Sequence, residues 1–292
     1  MKMELEEIFK HYSREDVVEE IVEYSKGKWV SVHVMSEEDE RQLMFRYHPK
    51  NRKPLKIDSR EDFEEIIKVL RDYGPRSFYA SINIYRKIEF RDDVLDRMNI
   101  IGSTPTWDID PSTGDFEKIV EVAEEIISIL EKNNISKSLI VKWSGRGMHI
   151  HIHPNAFSLE IYRRIDPLDI AYSVTEYVIR RMKIVSDVKI ENRIDLSRVF
   201  TCPLSLHRKL DRVVVCINPD KLRTFDLSWT DPKNFKHDKS WRNCEIGEGD
   251  ELAEKAFTNI GPYIYKIRRK KIHKPLDKQI LETLDKFKDI PP

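Results

Sequence analysis

Two short apolar runs, Ser138–Trp143 and Met148–His153, are separated only by a tight turn around Ser-Gly-Arg-Gly. So short a connection can join antiparallel neighbours but not parallel ones, which need a crossover of about a dozen residues. A hairpin is therefore written into the middle of the chain. Around it, strand and helix patterns are mixed. Lys28–Met35 and Arg41–His48 alternate weakly and flank the acidic turn Ser-Glu-Glu-Asp-Glu, as in a second hairpin. Ser77–Tyr85 is aromatic and β-branched and predicts a core strand; Thr104–Asp110 and Arg212–Ile217 predict shorter ones. Charged helical stretches open the chain. Ser59 can cap a helix running to about Tyr73, with Gly74 as its stop. Phe116, Ile119, Val120, Ala123, Ile126, Ile127 and Leu130 mark one face of another helix, and Asp166-Pro167 opens a third with Ala171, Val174, Val178 and Met182 inward. The fold class expected is α+β, with mixed or antiparallel sheets flanked by helices.

Composition narrows the setting. The 292 residues carry 51 Lys and Arg against 51 Asp and Glu, so any hold on a polyanion must come from local patches. With 40% hydrophobic and 35% charged residues, neither a membrane protein nor wholesale disorder is expected. The acidic opening MKMELEEIF lacks the apolar core of a secretory signal, and no apolar run approaches the roughly 20 residues of a bilayer span. Cys202, Cys216 and Cys244 are odd in number and far apart, which excludes a disulfide framework and a four-cysteine zinc site. A cytoplasmic, reducing compartment is the expectation. Abundant Lys and Glu beside only two glutamines point to ion-pair stabilisation and a thermophilic source.

Three features carry chemistry. Asp108 and Asp110 stand two apart on a predicted strand and so share a face, with Trp107 and Ile109 turned to the helix that follows. Adjacent carboxylates repel unless a cation lies between them, and hard oxygen donors suit Mg²⁺ or Mn²⁺ with substrate phosphates as further ligands. Asp110-Pro111-Ser112 is also turn chemistry in its own right. In Ser144–His149, Gly145 and Gly147 let backbone N–H groups approach an anion, Arg146 offers a planar donor fork, and Ser144 a hydroxyl. The same segment reads equally as a plain hairpin turn. His149, His151 and His153 share one strand face, and with Asp108 or Asp110 they could instead make the zinc or iron site of a hydrolase. Asp195, Arg198, His207, Arg208 and Lys209, taken singly, are a capping residue, a core imidazole and solvated charges.

Their order changes that reading. Asp-x-Asp on a strand, a Ser-Gly-Arg-Gly-x-His hairpin, then a third Asp and Ser-Leu-His resembles the archaeo-eukaryotic primase superfamily. The likeness covers about residues 78–217 and is nearest to the catalytic small subunit of archaeal DNA primase; Asp-Ile-Asp-Pro also resembles the polymerase domain of bacterial end-joining ligases. The resemblance implies that Asp108, Asp110 and Asp195 hold two divalent ions, Mg²⁺ or Mn²⁺, with no organic cofactor. It implies that Ser144, Gly145, Arg146, Gly147, His149 and His207 meet the triphosphate of an incoming nucleotide. Thr201 stands where the family has a basic residue, and Arg198 could substitute from another turn. The turn from Ser144 to His149 is one residue shorter than in the replicative subunit, and the family's Cys/His knuckle has no counterpart.

The activity so implied is template-directed nucleotidyl transfer from NTP or dNTP to a 3′-hydroxyl, either primer synthesis in replication or gap filling in end-joining repair. Expected partners are a DNA template and nucleoside triphosphates, with a primase large subunit or a repair ligase as protein partner. A catalytically silent nucleic-acid-binding relative is the remaining alternative, disfavoured by the presence of all three acids. The division expected is an N-terminal α/β part over 1–75, a catalytic core over 76–230 and a helical, basic extension over 231–292, with no linker-like segment between them. In that extension Lys266, Arg268, Arg269, Lys270 and Lys271, preceded by Tyr263 and Tyr265, combine cations with aromatics as single-strand binding requires. They could equally be a solvated face balancing the acidic Glu245–Glu254 segment.

Overall fold

Alternating apolar segments, each bounded by a turn or cap, set the elements of this computed structural model, which describes residues 3–35, 43–111, 116–183 and 188–264. Among them are the strands β1 (Lys28–Val34), β2 (Met44–Phe45), β3 (Pro75–Tyr85), β4 (Ile100–Ser103), β5 (Thr106–Pro111), β6 (Leu139–Trp143), β7 (Met148–Ile152), β8 (Val188–Ile190), β9 (Val199–Thr201) and β10 (Val215–Cys216). The helices are α1 (Leu5–Tyr12), α2 (Glu15–Ser25), α3 (Arg60–Val69), α4 (Phe116–Glu131), α5 (Leu159–Arg164), α6 (Pro167–Ile179) and α7 (Asp250–Ile260). The α+β expectation is met, and every strand pairing among the described residues is antiparallel. No helix among the described residues is long and apolar enough to cross a membrane.

Two sheets result. The first runs β2-β1-β3-β4, and the long strand β3 also takes β9. The second runs β10-β6-β7-β5-β8. Its outer face is apolar: Trp107 and Ile109 are fully buried in one continuous core with Ile119, Ala123 and Val174 from α4 and α6, and the Trp107 indole donates to Thr175 O at 3.1 Å. Burying such a face supplies the main drive for this layer, at roughly 25 cal/mol per Å² of apolar surface. Its inner face is polar and meets the first sheet, where the Phe200 ring of β9 packs against His149 and His151 at 4.8 and 5.2 Å.

Several elements differ in length from the sequence pattern. Of the strand expected over Arg41–His48, whose first two residues lie outside the described ones, β2 is what forms from 43 on, because the chain folds back at His48, whose N–H bonds Lys53 O while its carbonyl accepts from Arg52 N. Arg212–Ile217 shortens to β10, since Leu206 and Val213 form only an isolated bridge. The helix from Ser59 ends at Val69; a 3₁₀ turn carries the chain to Gly74, which stops it at φ 64°, a conformation costly for any side chain. The acidic Glu245–Glu254 segment contributes the first turns of α7. The Ser-Glu-Glu-Asp-Glu turn and the closing helix expected over 277–287 lie outside the described residues.

One buried carboxylate ties the N-terminal helices to the last part of the chain. Glu20 on α2 is fully buried and accepts from Trp241 Nε1 at 2.6 Å and Arg242 Nη2 at 2.7 Å, with His237 Nε2 at 3.0 Å. Burial pushes its pKa up, but the His237 contact, the indole and Arg242 outweigh it and hold the group below the ordinary carboxylate value. Glu20 therefore stabilises the fold above the unfolded-state pKa, and that contribution is lost as pH falls through the depressed folded value. Glu20→Ala, which leaves the buried Trp241 indole N–H and His237 without their acceptor and Arg242 with only Glu19, is expected to cost about 3–5 kcal/mol in urea unfolding at neutral pH, with a smaller loss towards pH 3.

Candidate active site

Cross-strand pairing assembles the site. Cys216 pairs with Lys142, Lys142 with His149, and His149 with Asp108, so these four side chains form one row across β10, β6, β7 and β5 on the inner face. The next row holds Ile140, His151 and Thr106. Strand pleating leaves Trp143, Met148 and Ile109 on the outer face, which is why the polar row coexists with an apolar back.

The two aspartates share this face in different environments. Asp108 is partly buried, with His149 Nε2 at 3.2 Å from Oδ1 and Arg193 Nη1 at 3.8 Å from Oδ2. Desolvation raises its pKa, but the His149 hydrogen bond and the charges of His149, Arg193 and Arg198 prevail and hold it below the ordinary value. Asp110 is exposed, and desolvation together with the charge of Asp108 pushes its pKa up. One carboxylate is thus held ionised while its neighbour is strained by like charge, which is the electrostatic situation a divalent cation relieves. The pair fits Mg²⁺ or Mn²⁺, which binds one or two protein carboxylates and takes water and phosphate for the rest.

Asp195, expected to share metal ions with the pair, is not grouped with it into a three-carboxylate metal site among the described residues. Its Oδ1 accepts from Ser197 N at 2.7 Å and its Oδ2 from Arg198 Nη2 at 3.3 Å. Arg198 also donates to Arg193 O at 2.9 Å, so a chain of contacts links Asp195 through the two arginines to Asp108. Among the described residues no three His, Cys, Asp or Glu side chains are grouped to hold a metal, the histidines included. His151 is fully buried with Nδ1 on Thr106 Oγ1 at 2.8 Å, and His153 lies past the end of β7 with Nδ1 accepting from Asn155 N at 3.2 Å. The three histidines follow the strand's alternation without converging.

The glycine turn meets His207. Gly145 has φ 114°, and a Cβ built on it would lie 2.7 Å from the His207 ring. Ser144 spends its hydroxyl closing the turn onto Gly147 O at 3.0 Å. His207 Nδ1 accepts from Lys209 N and Leu210 N at 3.1 and 3.0 Å. Burial, followed by the charges of Arg208, Arg146, Arg76 and Lys209, lowers its pKa to about 4. Arg146 and Arg208 are exposed and form no ion pair with any described residue, and the Arg208 charge reaches Asp110. Acids on β5 thus face unpaired cations around the turn and His207, the polarity that a metal-bound polyphosphate requires.

Some contributors were not singled out in advance. Lys142 is fully buried, donates to Tyr24 Oη at 2.8 Å and Thr201 O at 3.0 Å, and has its pKa lowered by burial to about 7. Its signal was a lone cation inside the apolar run Leu-Ile-Val-Lys-Trp. Arg193 and Phe200 carried no local mark, because their roles arise from β9 and the preceding turn folding back over β7. Lys266, Arg268, Arg269, Lys270 and Lys271 lie outside the described residues.

No protein-family model matches this sequence, and no curated protein matches it. Among solved structures, the chain is similar to the polymerase domain from Mycobacterium tuberculosis ligase D in complex with DNA, at 13% identity over 88% of this chain and 90% of that one, with a TM-score of 0.53. The likeness extends over nearly the whole of both chains, and what they share is the fold.

Gly145→Ala combines a left-handed backbone with a clash against the His207 ring. It is expected to cost about 1–3 kcal/mol by thermal unfolding. Displacing the ring from its buried seat should also raise the His207 titration, followed by imidazole NMR, above its parent value of about 4.

Proposed function

We propose that this chain is a DNA-directed nucleotidyltransferase of the primase-polymerase type, joining a nucleoside triphosphate to a 3′-hydroxyl. The observation that carries this reading is the opposition of the Asp108–Asp110 pair to the cationic rim of Arg146 and Arg208 around His207, built by the hairpin and the segment crossing it. The whole-chain likeness to a ligase polymerase domain solved with DNA supports it, and favours extension of an existing strand over primer synthesis. The motif order shared with archaeal primase keeps primer synthesis as the second reading.

In this proposal Asp108 and Asp110 hold divalent ions, which supply charge neutralisation at the phosphoryl oxygens and lower the pKa of the attacking hydroxyl. His149 holds the Asp108 carboxylate in place through Nε2. Arg146 and Arg208 grip the triphosphate and stabilise the charge that develops on the leaving pyrophosphate. The open backbone at Gly145, seated on His207, lets phosphate approach the turn more closely than a side chain would allow. Asp195 positions Arg198, and through it Arg193, beside Asp108.

The test supplies labelled rNTPs or dNTPs with bare template or with a primed template, in Mg²⁺ and in Mn²⁺. Incorporation is expected on the primed template; products on bare template would instead identify a primase, and none under any condition refutes both readings. Asp108→Asn and Asp110→Asn should each lower incorporation by about 10²–10³-fold or more, and normal extension by either variant would overturn the assignment. Charge reversal at Arg268, Arg269 and Lys270 is expected to weaken template binding and flatten its salt dependence.

A further inference from the structure

At the other end of the β6–β7 hairpin from its glycine turn, a cavity of about 200 Å³ is lined by Lys28, Tyr24, Thr104 and His153 and reaches solvent beside the exposed Lys26 and Asn155. Its chemistry is one-sided. Lys28 is only 7% exposed, its ammonium lies 3.9 Å over the Tyr24 ring, and it has no hydrogen bond or ion pair with any described residue. Thr104 Oγ1 is buried without a partner. His153 accepts from Asn155 N through Nδ1, which leaves its ring proton on Nε2 as a donor. The acid of the lining, Glu23, is exposed and paired with Lys26 at 2.6 Å.

Tyr24 carries a second buried lysine. Lys142 Nζ lies 4.3 Å from the ring centroid and donates to its hydroxyl at 2.8 Å. Two lysine side chains thus share one aromatic ring, and neither touches a carboxylate of any described residue. Burial lowers the Lys28 pKa to about 8, which leaves it mostly charged at neutral pH. A buried cation without a counter-charge is costly, and a cavity that sets an ammonium beside an unpartnered hydroxyl and an imidazole N–H is complementary to an anion. The volume exceeds the roughly 30 Å³ share of one water several-fold, enough for a compact oxyanion with a bridging water.

We propose that this cavity binds one small oxyanion, of the phosphate or carboxylate class, with Lys28 as its principal contact and Thr104 and His153 as further donors. Occupancy would supply the counter-charge that the Lys28–Tyr24–Lys142 stack lacks, one hydrogen bond away from the row that carries His149 and Asp108.

The experiment titrates inorganic phosphate and, separately, acetate into the full chain without divalent metal, following binding by calorimetry and thermal shift. Arg146→Ala/Arg208→Ala serves as the background, so that phosphate held by the candidate active site is removed. Saturable binding of one anion per chain is expected to survive in that background. Adding Lys28→Met should weaken it about tenfold or more and abolish the thermal shift, and Thr104→Val should weaken it several-fold. Because Lys28→Met removes a buried charge, the variant is expected to fold and to melt no lower than its parent. Binding of phosphate alone, or of acetate alone, identifies the source while supporting the site. The proposal falls if neither anion saturates, so that the cavity holds only water, or if Lys28→Met and Thr104→Val both bind as tightly as the background protein.

Discussion

The register of the β6–β7 hairpin is the constraint on which the rest of this protein depends. Strand side chains alternate with a period of two, so a slip of one residue between these strands would carry Lys142 and His149 to the apolar back and bring Trp143 and Met148 inward. The Ser144–Gly147 turn sets that register by hydrogen bonds from the Ser144 amide and hydroxyl to Gly147 O. Gly145 supplies a backbone conformation that few side chains tolerate. The same turn then serves as the seat of His207, so one short segment decides both the alignment of the acids' neighbours and the position of the opposing cations.

Electrostatics on the two sides of that row differ in a way that makes a site. Towards β5, charge is separated: Asp108 is stabilised as an anion, Asp110 is crowded by it, and Arg146 and Arg208 have no ion pair among the described residues. Towards α2, basic groups accumulate: Lys142 and Lys28 share the Tyr24 ring without a contacting acid among the described residues. Isolated buried charge is expensive, and structure retained at such expense tends to mark places where a ligand or reaction supplies the missing partner. Glu20 shows the opposite case, a buried carboxylate whose lone pairs are met by Trp241, Arg242 and His237, and there the contacts explain the burial entirely.

Much of the fold was legible because its signals are local. The α4 stripe, the Ser59 cap, Asp166-Pro167 at the entry to α6 and both strands of the central hairpin follow from side-chain period and turn chemistry, and each lies within a residue or two of its expected bounds. Arg41–His48 and Arg212–Ile217 were overextended because β-propensity cannot tell a paired strand from an extended segment whose partner is a loop. The acids on β5 and the glycine turn were visible as motifs. Lys142 was hidden in plain view, since a single Lys in an apolar run reads as the exposed face of an edge strand until the strand is seen to be central.

The sequence by itself determined which residues alternate, where turns must fall, and that Asp108 and Asp110 share a face with the side chains paired to them, because these depend on geometry a few residues long. Only the tertiary structure decided that His207 would pack on Gly145, that Arg198 and Arg193 would link Asp195 to Asp108, and that Lys28 and Lys142 would meet across Tyr24. Those meetings join segments about 60 to 120 residues apart or lie where separate turns converge, and the loop-closure entropy they oppose is overcome by burial of the whole core rather than by any signal in the segments themselves.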